Sequence, residues 1–131
     1  MNQTVILLGK NVHLTVINAG HNHSIVVKKD KLVPIMIPSS PLGVDLELEC
    51  DLREIKLERG ETLMLYTDGL TENYGPSGKP IRPRHLQQRL GFGLSVEELK
   101  FTVLDLMGEV WQGGGDQDDC TFMFVKWKGY D

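Results

Sequence analysis

Large apolar residues fall in short strand-like runs over the first half of the chain and at helical spacing only near its end. Residues 4–8 and 12–17 are β-rich runs parted by Gly9-Lys10-Asn11, the composition of a hairpin turn. The second run leads into Asn18-Ala19-Gly20-His21-Asn22-His23, a small polar loop. Residues 24–27 resume as a strand, 28–31 turn it and 32–37 return, so the first forty residues predict a β-meander. Pro38-Ser39-Ser40-Pro41-Leu42-Gly43 is a loop, because its prolines fix φ and withdraw ladder donors. Across 46–57 the apolar positions Leu46, Leu48, Cys50 and Leu52 share one parity, whereas Ile55 and Leu57 take the other. That change of phase predicts a bulge or bend near Arg53.

Residues 63–66, Leu-Met-Leu-Tyr, follow the turn Arg59-Gly60-Glu61 and form an unbroken apolar run. Such a run predicts a strand over 62–67 buried on both faces. It stops at Asp68-Gly69. Residues 73–83 are a loop rich in glycine and proline, and Pro83 suits the first position of a short helix reaching about Leu90. Ser95 predicts the cap of a longer helix, with Glu98 completing a capping box. Val96, Leu99, Val103, Leu106, Met107 and Val110 then repeat on one helical face, ending before Gly113-Gly114-Gly115. A last apolar strand over 120–127 follows Asp116-Gln117-Asp118-Asp119. Strands, then helices, then a closing strand predict an α+β fold, with helices against one face of a mainly antiparallel sheet.

Composition narrows the class. The chain has 131 residues, 40% of them hydrophobic, and a net charge of -4, which suits one domain over 1–131 with a real core. No apolar run approaches the roughly 18 residues of a membrane span, and the first residues lack the basic segment of a secretory signal. Cys50 and Cys120 are far apart with no CxxC spacing, which fits two reduced thiols in a cytoplasmic protein. Basic residues are scattered rather than gathered into a stripe with aromatics, which argues against nucleic acid.

Two acids stand at strand ends: Asp68 after 62–67, and Asp118 just before 120–127. If those strands are adjacent and antiparallel, the end of one meets the beginning of the other and the carboxylates converge at one rim. Carboxylates held that close repel unless a cation lies between them, and oxygen-only donors suit Mg²⁺ or Mn²⁺. Glu72 would reach the same ion through a water if a helical turn starts at Leu70. The residues alone equally allow an ordinary Asp-Gly turn and solvated loop acids.

Asn18-Ala19-Gly20-His21-Asn22, Pro41-Leu42-Gly43, Gly60-Glu61-Thr62-Leu63 running into Tyr66-Thr67-Asp68-Gly69-Leu70-Thr71-Glu72, and Asp118-Asp119-Cys120-Thr121 occur in that order. Together they resemble the bacterial SpoIIE/RsbU-like branch of the metal-dependent (PPM, type 2C) serine/threonine protein phosphatases, over the C-terminal part of that domain. The resemblance implies an α-β-β-α sandwich of two antiparallel sheets with helices outside. It also implies a Mg²⁺ or Mn²⁺ centre at which Asp68, in the Asp68-Gly69 motif, and Asp118 are the catalytic metal ligands. Glu72 would act through a water, and His21 would help hold a more weakly bound cation or serve its loop structurally. Asp119 would fix the start of the strand by hydrogen bonding. His13, His23 and His85 match nothing in the family pattern. The implied substrate is a phosphorylated protein, an anti-sigma-factor antagonist in a bacterial signalling switch.

In the family, two metals hold a water and lower its pKa for in-line attack on a phosphoserine or phosphothreonine. The aspartate that bridges those metals comes from an upstream half with an Asp-Gly-His-like segment. Neither an Asp-Gly-His nor a Gly-Gly-Asp segment precedes Asp68 here. The chain is therefore expected to be either a shortened piece of a working enzyme or a protein that has lost the catalytic half. Weak or absent turnover by these residues alone follows, with a non-catalytic pseudophosphatase binding module as the alternative. A sandwich without its early strands also exposes sheet edges and apolar surface, which predicts a homodimer through the exposed sheet.

Overall fold

The computed structural model describes residues 3–8, 12–18, 24–35, 52–72, 80–111 and 119–129. Within them the order is β1 (Gln3–Leu8), β2 (Val12–Asn18), β3 (Ile25–Val27), β4 (Leu32–Pro34), β5 (Leu52–Leu57), β6 (Thr62–Tyr66), α1 (Asp68–Glu72), α2 (Pro83–Arg89), α3 (Val96–Trp111) and β7 (Phe122–Lys126). The strands make two sheets, β1-β2-β5 and β4-β3-β6-β7, and every pairing is antiparallel. This is the expected α+β class.

The hairpin of β1 and β2 forms as its turn composition predicts, with Gln3 opposite Asn18 and Leu8 opposite His13. The meander does not continue. β2 takes β5 as its second neighbour, and β3 belongs to the other sheet. Burial explains the change. Leu14 and Val16 of β2 are buried while His13 between them and the turn is exposed, so β2 covers one core face only. All three residues of β3 are buried, which requires packing partners on both of its sides. The predicted bulge near Arg53 is also corrected: the β2–β5 ladder runs without a break from Val12 opposite Leu57 to Ile17 opposite Leu52. Ile55 and Leu57 simply carry the parity of this strand. Residues 46–51, where the other parity lies, fall outside the described residues.

Two apolar layers result. Leu14, Val16, Val26, Ile35, Leu57 and Leu63 fill the space between the sheets. Ile25, Val27 and Met64 face the helices instead, against Leu70, Leu86, Leu99 and Val103. β6 thus gives Leu63 to one layer and Met64 to the other, as the unbroken apolar run predicts. Each fully buried side chain of this kind contributes about 1.5–3 kcal/mol of transfer free energy.

The helices start where the sequence places them. Glu98 N–H donates to Ser95 Oγ at 3.1 Å, capping α3. At α2, Arg82 N–H donates to His85 Nδ1 at 2.9 Å, so His85 has a structural role as part of the cap. Arg89 of α2 and Glu109 of α3 form a two-pronged ion pair whose Nη1–Oε1 arm is 2.9 Å, but both side chains are exposed and the pair adds little. Gly108 lies within α3, and a Cβ there would meet nothing within 4 Å. Gly108→Ala is therefore expected to raise stability by about 1 kcal/mol, the helix-propensity difference, in urea denaturation.

At the N-terminal end of β6 the chain is tied down by Glu61, which is 5% exposed. Its main chain accepts from Trp127 N–H at 3.0 Å, and Lys28 Nζ reaches its carboxylate at 3.2 Å. The preceding Gly60 has φ +89 and lies against the ring of Phe92, so a side chain there would be both strained and obstructed. Among the described residues no helix is long and apolar enough to cross a membrane.

Candidate metal centre

The C-terminal end of β6 and the N-terminal end of β7 are brought together. β6 and β7 are neighbours, antiparallel, in register from Thr62 opposite Lys126 to Tyr66 opposite Phe122. The pairing continues one residue further toward the rim. Thr67 N–H donates to the Thr121 carbonyl at 2.9 Å, and Thr121 N–H donates to Thr67 Oγ1 at 3.0 Å. The Thr67 hydroxyl lies 3.3 Å from the same carbonyl and completes the exchange. A threonine suits this position because its hydroxyl replaces the ladder partner that the turning backbone withdraws.

Immediately beyond, the chain enters α1. Leu70 N–H donates to the Thr67 carbonyl at 3.0 Å, which closes the first turn. The helix therefore starts at Asp68 and not at Leu70, a correction to the expected turn. Its two ends are Asp68 and Glu72. Gly69 is buried, and its main chain presses on that of Asp119 and Cys120. A Cβ on Gly69 would collide with the Asp119 carbonyl group, with its carbon at 2.8 Å, and would lie 3.1 Å from Cys120 Cα. Only a residue without a side chain fits, so the glycine of the Asp-Gly motif is explained by packing against the opposite strand.

In the sequence Asp68 directly precedes Gly69, and Asp118 directly precedes Asp119. Asp118 and His21 lie outside the described residues, and so does Cys50. Among the described residues no group of three or more His, Cys, Asp or Glu side chains gathers to hold a metal. Asp119 is exposed, three residues ahead of β7. Cys120 is a free, half-buried thiol, and burial pushes its pKa up, so it stays protonated near neutrality and offers no thiolate. The donors this rim presents are therefore carboxylate, hydroxyl and main-chain oxygens, a set that suits a hard divalent cation. Thr67 and Thr121 stand in the sequence motifs, but nothing in their residue type announces the reciprocal bond.

Comparison with known proteins completes the picture. The family model described as Stage II sporulation protein E (SpoIIE) matches residues 6–128. No curated protein sequence matches the chain. Among solved structures, the Mn-presoaked phosphatase domain of the cell fate determinant SpoIIE from Bacillus subtilis superposes with a TM-score of 0.73 at 16% identity, over 99% of this chain and 57% of that one. The PP2C phosphatase domain of the same protein, with a fragment of its regulatory domain, gives 0.75 at 17% identity, over 95% of this chain and 36% of that one. The RsbU and RsbW domains of Rv1364c from Mycobacterium tuberculosis give 0.70 at 21% identity, over 95% and 35%. The chain thus spans less than two thirds of each solved chain, and at these identities the structural likeness establishes the fold. Its two antiparallel sheets with helices packed on one of them match part of the PP2C fold, and the chain belongs to the SpoIIE family of PP2C-like phosphatase domains.

Proposed function

We propose that this chain carries the Asp68/Asp118 side of a Mg²⁺- or Mn²⁺-dependent phosphoserine/phosphothreonine protein phosphatase centre. The observation that supports this most is the Gly69 main chain lying on that of Asp119, beside the Thr67–Thr121 bonds. It holds the end of β6 and the start of β7, the stretches that Asp68 and Asp118 adjoin in the sequence, at one rim of the sheet. Asp68 and Asp118 would hold the ion, with Glu72 reaching it through a water and His21 contributing from its loop. A divalent cation there would neutralise phosphoryl oxygens and lower the pKa of a bound water. The protein's own part is positional: a glycine-fitted turn directly follows Asp68, and the paired threonines fix the strand end before it. Positioning of this kind dominates phosphoryl transfer, where little covalent chemistry falls to the protein.

The substrate proposed is a phosphorylated anti-sigma-factor antagonist. Support comes from the likeness to a structure that joins RsbU and RsbW domains. These 131 residues contain no Asp-Gly-His segment to furnish the bridging aspartate, so turnover by this polypeptide alone is weak or absent. The same fact supports a second reading, a pseudophosphatase module that binds such a partner without turnover. Mn²⁺ titration followed by electron paramagnetic resonance tests the centre without relying on activity. The wild-type chain is expected to bind the ion, and Asp68→Asn to weaken it by at least about tenfold. Mn²⁺ affinity indifferent to that substitution would remove Asp68 from the centre. Phosphate release from a phosphoserine peptide that depends on Mn²⁺ and Asp68 identifies the enzyme. Partner binding indifferent to both identifies the module.

A further inference from the structure

We propose that the outward face of α3 is a docking surface for a basic amphipathic helix of a partner protein. α3 turns Leu99, Val103 and Leu106 into the core. A helix with one buried face is ordinarily polar on the other. Two large apolar residues break that pattern here, Phe101 at 56% exposure and Leu104 at 42%. Met123, also exposed, lies on the face of the sheet opposite Phe122 and Phe124 and takes no part.

Gly108 extends the same stripe, because positions 101, 104 and 108 recur at the spacing of one helix face. It is exposed, and a Cβ there would meet nothing within 4 Å. Its φ is not in the left-handed region either. A glycine weakens the helix that holds it, and neither packing nor backbone angle within the described residues calls for this one. What it does supply is a flat place beside two apolar side chains, where a second helix can approach closely. Next to the ridge, between α3 and β7, lies a hollow of about 440 Å³ bounded by Val96, Glu97, Lys100, Leu104, Phe122 and Phe124. Phe122 and Phe124 line it as an edge-to-face pair with ring centroids 5.9 Å apart, so a side chain reaching over Leu104 meets an aromatic surface.

Charge selects the occupant. Glu97 heads the stripe one turn before Phe101, and Glu98 and Asp105, seven positions apart, share its flank. All three are exposed, and none forms an ion pair among the described residues. The nearby bases are already engaged. Lys100 Nζ lies over the Phe101 ring, 5.0 Å from its centroid, and Lys126 Nζ of β7 donates to the Leu94 carbonyl at 3.0 Å. The charge left to a partner is therefore negative, on either side of an apolar ridge. Leucine-like anchors flanked by lysine or arginine complement it, which is the pattern of a basic amphipathic helix. The same acids repel nucleic acid and an anionic membrane.

Fluorescence anisotropy on the whole chain tests the surface with a pair of labelled probe peptides. One is an amphipathic helix of about 18 residues with leucines along one face and lysines beside them, and its twin carries glutamate for lysine. The lysine helix is expected to bind saturably below about 100 μM, and the glutamate twin at least about tenfold more weakly. Phe101→Ser is expected to weaken the lysine helix at least about tenfold while leaving the circular dichroism spectrum intact, since the ring is exposed. Glu97→Lys combined with Asp105→Lys is expected to reverse the preference between the twins. Gly108→Gln is expected to raise the thermal midpoint yet weaken the peptide, two opposite effects that a purely structural glycine would not show. No saturable binding of the lysine helix up to about 500 μM overturns the proposal. Equal binding of the twins overturns it as well, and so does binding indifferent to Phe101→Ser, because the peptide then sits elsewhere. Self-association that the peptide fails to displace would give the face to a second copy and overturn it too.

Discussion

Gly69→Ala is expected to destabilise the protein by about 3 kcal/mol, the upper part of the range for overpacking a site that cannot yield. The added methyl would occupy the position of the Asp119 carbonyl group and crowd Cys120 Cα. Both obstacles are main chain, so no rotamer change relieves them. Relief requires the ends of β6 and β7 to separate, and that breaks the exchange of hydrogen bonds between Thr67 and Thr121. Thermal unfolding is expected to show a midpoint lower by roughly 10 °C. Gly93→Ala is the matched control, because a Cβ there meets nothing within 4 Å. An unchanged midpoint for Gly69→Ala would mean that the two strand ends do not touch, and the case for Asp68 and Asp118 sharing an ion would go with it.

Lys28→Met is expected to cost about 3 kcal/mol in urea denaturation at neutral pH, at the lower end for breaking a buried pair. The lower end applies because the partners are unequal: Glu61 is 7% exposed at its side chain, whereas Lys28 is 36% exposed and screened by water. Removing the ammonium leaves a carboxylate in the interior, held at a strand start whose main chain is tied to Trp127. Lys28→Met with Glu61→Gln should recover most of the loss, since the charge that needed an ammonium is then gone. A double variant no more stable than the single would show that packing, not charge, holds that end of β6.

Much of this architecture was legible because it rests on local rules. The capped start at Ser95, the apolar face of α3, the proline-led α2 and the β1–β2 hairpin each follow from a few neighbouring residues. The apolar run of β6 revealed its two-sided burial for the same reason. What the sequence did not show depends on which strand lies beside which. Residues 24–27 and 12–17 look like consecutive members of a meander. Only the burial of all of β3, set against the one-sided burial of β2, separates them into different sheets. The phase change before Arg53 was likewise read as a bulge, although the ladder from Leu52 onward is regular.

At the candidate centre, the meeting of the two strand ends was legible from Asp68 and Asp118 once an antiparallel pairing was assumed. The start of α1 at Asp68 was not, because it is decided by a single carbonyl, that of Thr67, turning toward Leu70. The role of Gly69 was also hidden. Its sequence context suggests a turn, while its actual constraint is the main chain of a residue far away along the polypeptide. His85 illustrates the reverse case, a histidine without a motif that proves to be a helix cap.

β6 is a five-residue ribbon with hydrophobic material on either side, and the same ribbon ends at the acidic rim. Anything that tugs on that rim pulls on both interior layers at once. A ligand seated there would be felt as a stiffening of the whole slab, from the helical side through to the outer sheet, rather than as the quietening of one loop.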